Sequence, residues 1–433
     1  STDSSGIFSF SRIPAGGSYS FTFTAVGYEP QVLAGYNIKA DISLSLVVKM
    51  KASAAEGLDQ VVVVGYGVQK RKDLTGSVVS VGNKEVKDLG LTRIDQGLAG
   101  RVPGVQVKAA SGEPGIAPQI RIRGIGSISA GVGPLYVIDG FPTDNIQTLN
   151  PNDIESLDIL KDASATAIYG SRGSNGVIII NTKRGKAGKS VLGLDAYYGV
   201  QKVSKIPKMK NSVEQAEWWL DGMRNKNIDA GLDVSGDPTT WSQPVPQVIM
   251  DVLEGKNTTD EEALDGILVN APQKMIQLSA SGGTDLLKYA LSGEYMNQDG
   301  IVINSGFQRY SVRANFDAKL NDRLTLKLNL NPSFTKQSAL PSTGVCCLGS
   351  GVVAAALNIS NYRPLKDADG NFFNYDGLPD LAAVYNPLAV ASETRVSNKL
   401  TRLLANLSAD YRITNALHFT FLLGGSVLGT KGM

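Results

Sequence analysis

The stretch SVRANFDAKL, residues 311–320, decides the fold through its alternation. Val312, Ala314, Phe316, Ala318 and Leu320 fall on one side of an extended chain, and Ser311, Arg313, Asn315, Asp317 and Lys319 fall on the other. Successive side chains of a strand point to opposite faces, so each face here is of one chemical kind. The pattern repeats on both sides. Leu324, Leu326, Leu328 and Leu330 alternate with Thr325, Lys327 and Asn329, and Leu403, Ala405, Leu407, Ala409 and Tyr411 alternate with mostly polar neighbours. Similar segments begin near Val191, Met275, Lys288 and Leu417, which predicts about seven strands of the length expected of a tilted membrane strand. Their connections run long (about 204 to 272), short (GGTDLL), medium (NQDGIVINSG), short (NDR), long (about 337 to 397) and short (TNA). A soluble sandwich has no reason to shorten every second connection, whereas a membrane barrel with long outer loops and tight inner turns does.

Composition agrees with that class. With 42 Lys+Arg against 40 Asp+Glu, the net charge of +2 is too even for a nucleic-acid footprint, so no nucleic acid is expected as partner. No apolar run is long enough to cross a bilayer as a helix, and a membrane span must therefore be made of strands. A length of 433 residues permits two or three domains. The start STDSSG has no initiator Met or apolar signal core, and the end GGSVLGTKGM stops in mid-pattern, so the chain reads as a piece of a longer protein. Seven strands cannot surround a plug-sized domain, and an open sheet is expected.

Upstream of the barrel pattern the chain divides three ways. Residues 1–50 carry short alternating bursts, FSFS, YSFTFTA and ISLSLVV, punctuated by turns. Residues 51–72 run from a polar linker, KASAAEG, into four valines, Val61 to Val64, which want to be a strand, and then into a basic cluster. This setting suits a detachable segment free of its own sheet. Residues 73–188 mix short strands (PQIRIRG, PLYVIDG, ESLDILK, NGVIIINTKRG) with short helical pieces, cut by proline and glycine, and read as an α/β globular block. Residues 189–433 hold the barrel strands.

Several strings invite other chemistry and fail. GKAGKS at 185–190 ends like a phosphate-binding loop, but Lys183 occupies the place of the first glycine and a strand follows. YGSRGSNG and RGIGSIS do not complete a dinucleotide fingerprint. Asp367, Asp369 and Asn371 of KDADGN alternate like calcium ligands, yet the closing Glu is missing and Asp-Gly more simply turns a hairpin. His418 has no catalytic constellation, and the neighbouring Cys346 and Cys347 make no disulfide framework or zinc site. No catalytic residue, metal site or cofactor is expected, and the chain is not read as an enzyme.

The runs LDQVVVVGYGVQKRKDLTGSV, DQGLAGRVPGVQV, IRIRGIGSI, PLYVIDGFP and NPNDIESLDILKDASATAIYGSRGSNGVIIINTKRGKAG, in that order from Leu58 to Gly188, resemble the TonB box and plug of the SusC-like TonB-dependent outer-membrane transporters. GIFSFSRIPAGGSYSFTFTAVGYEPQ resembles later strands of a carboxypeptidase-regulatory-like β-sandwich. The resemblance implies a mainly β chain: a partial sandwich, an α/β plug and the first strands of a large antiparallel transmembrane barrel in the bacterial outer membrane. It implies nutrient import, of an oligosaccharide or peptide, with a SusD-like surface lipoprotein as lid. TonB and its ExbB/ExbD energy complex would supply the work, and outer-membrane lipid would surround the wall. A siderophore or cobalamin receptor is the alternative within the class, and a non-transporting surface glycan-binding protein the rival outside it.

The residues carried over for TonB binding are Leu58, Asp59, Gln60, Val61, Val62, Val63 and Val64, with Gln60 standing where the family usually has an acidic residue. Arg121, Arg123 and Arg172 of the plug are expected to meet charged inward faces of the wall through wet, individually weak ion pairs. Trp218, Trp219 and Trp241, the only tryptophans, lie in the first long loop, where SVEQAEWWLDGMRNK reads as an amphipathic helix. They are candidates for stacking on substrate or packing on the lid, against the alternative of packing within their own loop.

Overall fold

The computed structural model describes residues 16–23, 31–37, 46, 48–49, 61–64, 67–70, 78–82, 92–124, 131, 133–340, 351–381, 384–414 and 417–432. The chain divides into two units, Ser1–Ser77 and Val78–Met433.

In the first unit β1 (Ser18–Phe23) pairs antiparallel with β2 (Gln31–Asn37), and Phe21 meets Tyr36 edge-on. The four valines form β3 (Val61–Val64), paired antiparallel with β4 (Gly67–Lys70). The expectation of a strand outside any sheet is thereby corrected. The nearest extended segment in sequence is the entropically easiest partner, and the chain folds back on itself.

The second unit begins with a five-stranded sheet in the order β5 (Val78–Gly82), β10 (Ile154–Leu160), β11 (Val177–Thr182), β8 (Leu135–Ile138) and β9 (Phe141–Thr143). The strands β6 (Val105–Lys108) and β7 (Gln119–Ile122) form a separate hairpin. β11 pairs parallel with β8 and antiparallel with β10. Its run VIIINT lacks polar alternation because both faces are covered, as a central strand requires. Ile178 and Ile180 enter one apolar cluster with Ile94, Leu98, Ile120 and Leu149, while Val177 and Ile179 enter another with Leu135, Val137 and Leu160. Asp139 (φ 47°) and Gly140 (φ 88°) form the two-residue turn between β8 and β9, the geometry for which Asp-Gly is suited.

The rest is one antiparallel sheet of seven strands in sequence order: β12 (Gly188–Gln201), β13 (Ala271–Gly283), β14 (Leu287–Asp299), β15 (Gly306–Lys319), β16 (Leu324–Ala339), β17 (Val396–Arg412) and β18 (His418–Gly432). Its ends, β12 and β18, do not pair with each other, so the sheet stays open, as seven strands around a plug must.

The connections alternate as expected, and those on the long side fold into a module of their own. It holds α1 (Ser212–Asp229), α2 (Gln247–Leu253), α3 (Ala263–Ile267), α4 (Val352–Asn358) and α5 (Pro387–Glu393). Asn211 caps α1 reciprocally with Glu214. Asn361 donates its N–H to Gln215 Oε1 (2.8 Å), and Asn257 Nδ2 donates to Tyr362 O (3.1 Å), which ties the two long loops together. Leu268 bridges to Val302, so the medium loop joins the same module. Ala263, Ile267, Val352, Ala356, Leu365 and Ala391 fill its core.

Candidate functional site

The wall is turned inside out relative to a soluble protein. On β15, Arg309, Ser311, Arg313 and Asn315 are buried, while Tyr310 and Val312 are about half exposed at 47% and 53%. Asn329, Asn331, Ser333, Thr335 and Gln337 of β16 and Arg402 and Asn406 of β17 are buried too. Leu194, Leu278, Leu291, Leu403, Leu407, Phe421 and Val427 lie exposed on the opposite face. Polar inside and apolar outside is the arrangement that lipid demands.

The inward face grips the plug. Arg313 Nη2 pairs with Asp139 Oδ2 at 2.9 Å, both side chains buried, and Arg184 lies 3.8 Å from the same carboxylate while pairing with Asp317 at 2.6 Å. Thr182 donates to Asp139 from its N–H (3.0 Å) and its hydroxyl (2.6 Å). Burial alone would push the Asp139 carboxyl up, but Arg313, Arg184 and the Thr182 hydrogen bonds outweigh it and hold the group below the usual carboxylate range. Asn315 Nδ2 donates to Thr182 Oγ1 (3.0 Å) and to Lys183 O (2.8 Å). Asp153 accepts from Gln277 (2.8 Å) and Ser292 (2.6 Å), Arg402 donates to Thr143 Oγ1 (2.7 Å), and Gln337 donates to Pro114 O (3.1 Å). Arg309, paired with Glu294 at 2.9 Å, reaches Thr92 O at 2.8 Å. A cavity of about 490 Å³ lined by Asp153, Lys183, Arg184, Gln277, Ser279 and Ser292 interrupts this seam beside β12–β14. The plug thus sits in a polar cradle, with Leu404 the wall residue that reaches its main apolar cluster.

Two of the expected plug arginines, Arg123 and Arg172, pair within the plug and not with the wall. Arg123 pairs with Asp162, and Arg172 pairs with Asp144 at 3.0 Å, both within the plug and both half exposed; Arg121 is half-buried on β7. A local carboxylate reaches each of the first two before the wall does. Among the described residues two ion pairs do join plug to wall: Arg184–Asp317 is partly exposed, whereas Arg313–Asp139 is buried rather than wet, because Asp139 is carried by a tight turn into the inward row of β15.

Of the TonB-box residues, Val61 to Val64 form β3, while Leu58, Asp59 and Gln60 lie outside the described residues, as do Cys346 and Cys347. Trp241 is buried and Trp219 partly buried in a cluster with Ala216, Val245, Ile249 and Tyr362, so both pack within the loop module. Trp218 is 65% exposed, with Lys210 Nζ 6.0 Å from its ring centre. Asp367 Oδ1 accepts from the N–H of Asp369 (3.0 Å) and of Asn371 (2.8 Å), and Lys366 bridges Phe372, so KDADGN makes a hairpin turn stabilised by its own carboxylate. His418 lies exposed beside Asp410, at 3.4 Å.

Comparison with known proteins fits this geometry. Residues 70–177 match the TonB-dependent Receptor Plug Domain family. The chain is 34% identical over 410 residues to TonB-dependent receptor P26 of Formosa agariphila, aligning 92% of this chain with 38% of that protein. It is 32% identical over 409 residues to TonB-dependent receptor SusC of Bacteroides thetaiotaomicron, aligning 89% of this chain with 38% of that protein. A solved structure of the RagAB peptide importer in its open-open state superposes with a TM-score of 0.70 at 28% identity, over 86% of this chain and 43% of that one. The chain therefore spans a little over a third of the length of the curated relatives it matches. By its plug, its inside-out wall and these relatives, the chain belongs to the SusC-like TonB-dependent receptors.

Proposed function

We propose that this chain serves TonB-dependent import of a nutrient across the bacterial outer membrane, with an oligosaccharide as first candidate and a peptide as second. The observation that carries the reading is a plug held in a polar cradle inside a wall whose outer face is apolar. A wide barrel has a lumen that side chains cannot fill, and a separate domain must close it. That domain must yield for cargo to pass, and a seam of hydrogen bonds and ion pairs with a polar cavity beside it can rearrange more readily than a packed apolar core. An outer membrane has no ATP and no sustained gradient of its own, so the work comes from outside, through TonB and the ExbB/ExbD complex.

The receiving element in this reading is Leu58 to Val64. β3 belongs to a two-stranded hairpin, a structure marginally stable on its own, and a strand in such a hairpin offers main-chain groups to a sheet edge of a periplasmic partner. The segments near 204–272 and 337–397 face the cell exterior and meet a SusD-like lipoprotein, with exposed Trp218 as a contact for that lid or for substrate. RagAB, whose solved structures are those of a peptide importer, supports testing peptides beside glycans.

The experiment is Val62→Pro. Proline removes a ladder donor and fixes φ, so it blocks strand pairing without touching the outer loops. Uptake is expected to be abolished while surface binding of substrate persists. Uptake at the wild-type rate, with the variant verified in the outer membrane, overturns the assignment of the coupling segment.

A further inference from the structure

The outward face of the wall carries a feature that import does not require. Strand register places Tyr198, Lys274, Asn297, Gln308, Lys336, Lys399 and Lys431 in one continuous row across all seven strands. The register of the next outward row toward the short turns is Ala196, Ile276, Tyr295, Tyr310, Phe334, Thr401 and Gly429. Tyr295, Tyr310 and Phe334 contact one another in series, with ring centres 5.0 and 6.2 Å apart, and Lys274 Nζ lies 6.0 Å from the Tyr295 ring. Below them the outward face is apolar as far as Leu320. Ten residue steps from Tyr310 to Leu320, at roughly 3.3 Å each and tilted by about 40°, span about 25 Å, the height of a barrel's lipid-facing band. The lysine row therefore stands at headgroup level, on the long-loop side.

Two observations point to a ligand there. Lys336 is directly opposite Lys399, and Lys399 directly opposite Lys431, an arrangement of like charges that destabilises a sheet unless an anion lies over it. Among the described residues none of the four lysines makes an ion pair. Beside the row, a recess of about 370 Å³ is lined by Asn297, Asp299, Asn304, Gln308, Lys336 and Ser338, an amide- and hydroxyl-rich surface suited to sugar hydroxyls. Asp299 is the one acid there, and it is engaged by Asn297 Nδ2 at 3.0 Å.

We propose that the outward row of Lys274, Lys336, Lys399 and Lys431, with its adjoining recess, binds the phosphorylated sugar headgroup of an outer-leaflet glycolipid whose acyl chains lie on the apolar band below. Lysine donors on phosphate oxygens make charge-assisted hydrogen bonds, and the recess holds the sugar beside them. The inference rests on the outer-membrane reading above and is independent of the substrate imported.

The test uses the intact transporter purified in detergent, with bisphosphorylated lipid A as probe. Its dephosphorylated form, phosphatidylglycerol and inorganic phosphate serve as the other arms. Wild type is expected to hold the bisphosphorylated lipid at least about tenfold more tightly than either other lipid, with no measurable effect of inorganic phosphate. The lipid should also raise the Tm. Lys399→Gln removes the central charge of the opposed trio, so without lipid it is expected to unfold at or above the wild-type temperature. Together with Lys336→Gln it should lose the preference for phosphorylated lipid. Equal binding of the phosphorylated and dephosphorylated forms, equal binding of phosphatidylglycerol, or an undiminished lipid-induced Tm shift in a folded double variant overturns the proposal. Because no arm scores uptake, failure of the import reading leaves this result standing.

Discussion

In the plug, β11 sends Ile178 and Ile180 into one apolar cluster and Val177 and Ile179 into another, so nothing polar in the run VIII survives burial. In the wall, β15 sends Arg309, Ser311, Arg313 and Asn315 into the interior and leaves Tyr310 and Val312 outside. Both sheets obey the same two-residue period, yet they bury opposite chemistry. Period reveals which residues share a face, and the surrounding solvent decides which face is turned inward. Water around the plug domain drives apolar side chains together, whereas lipid around the wall removes that drive and leaves polar groups to seek one another inside.

The contrast breaks most sharply with an acid placed in the plug sheet. Ile179→Asp places a carboxylate where the side chain is fully buried against Leu135, Val137 and Leu160 and directly opposite the buried Asp158, and the expected cost is on the order of 5 kcal/mol, enough to unfold the plug. Trypsin resistance of the plug in outer-membrane fractions measures it. An Ile179→Asp plug as resistant as wild type would show that the cluster is not the plug's core.

A second variant probes the joint between the sheets. Asp139→Ala leaves Arg313 buried beside no carboxylate and should cost about 3–5 kcal/mol, much of it recovered by adding Arg313→Met. The pH dependence has a definite sign. Since the folded state holds the Asp139 carboxyl below its ordinary value, its contribution is fully present above the unfolded value near 4 and is lost as pH falls through the folded one. Hydrogen exchange at the plug seam should therefore be flat from pH 7 to 5 and quicken, relative to the intrinsic rate, only under stronger acid. Loosening that begins near pH 6 would point to another group.

Much of this architecture was legible in the sequence. Alternation gave the wall strands, connection lengths gave the two ends of the sheet, and the valine run gave β3. The contacts were not legible, because they depend on register and on turns that carry a residue across space. Asp139 and Arg313 lie 174 positions apart, and only the Asp-Gly turn and the inward parity of β15 bring them together. Plug arginines in glycine-rich strings were the more conspicuous charges, but Asp162 and Asp144 satisfy Arg123 and Arg172 locally. Trp219 and Trp241 sit in a loop too long for periodicity to show that it has a core of its own. The lysine row has no signature in one dimension, since its members are separated by whole hairpins.

A gentler test of the wall uses depth. Leu291 shares its outward row with Ala314, midway down the apolar band, so Leu291→Arg should cost about 2–4 kcal/mol, against about 0–1 for Tyr310→Arg at the rim. Urea midpoints of protein folded into vesicles provide the measurement. Equal costs at the two depths would argue against a lipid-facing surface.

The smallest expected effect lies at the outer edge of the seam, where the plug loop touches the wall through a glycine. Gly115 has φ 79°, its carbonyl accepts from Gln147 Nε2 at 3.4 Å, and a Cβ there would overlap the buried Phe307 ring of β15. Two costs are combined in Gly115→Ala: left-handed backbone in a residue with a side chain, about 1 kcal/mol, and displacement of the ring, about another 1 kcal/mol. They separate in a double-mutant cycle. Phe307→Leu removes the ring edge, so Gly115→Ala in that background should cost only the backbone part, giving a coupling of about 1 kcal/mol between a plug residue and a wall residue. Because Phe307 faces inward beside Gly115, the coupling should persist in detergent, where the lipid-facing surface is no longer tested. A coupling of zero would mean that the plug loop does not rest on Phe307, and that the polar contacts of Gln337 and Arg309 hold this edge of the plug without help from packing.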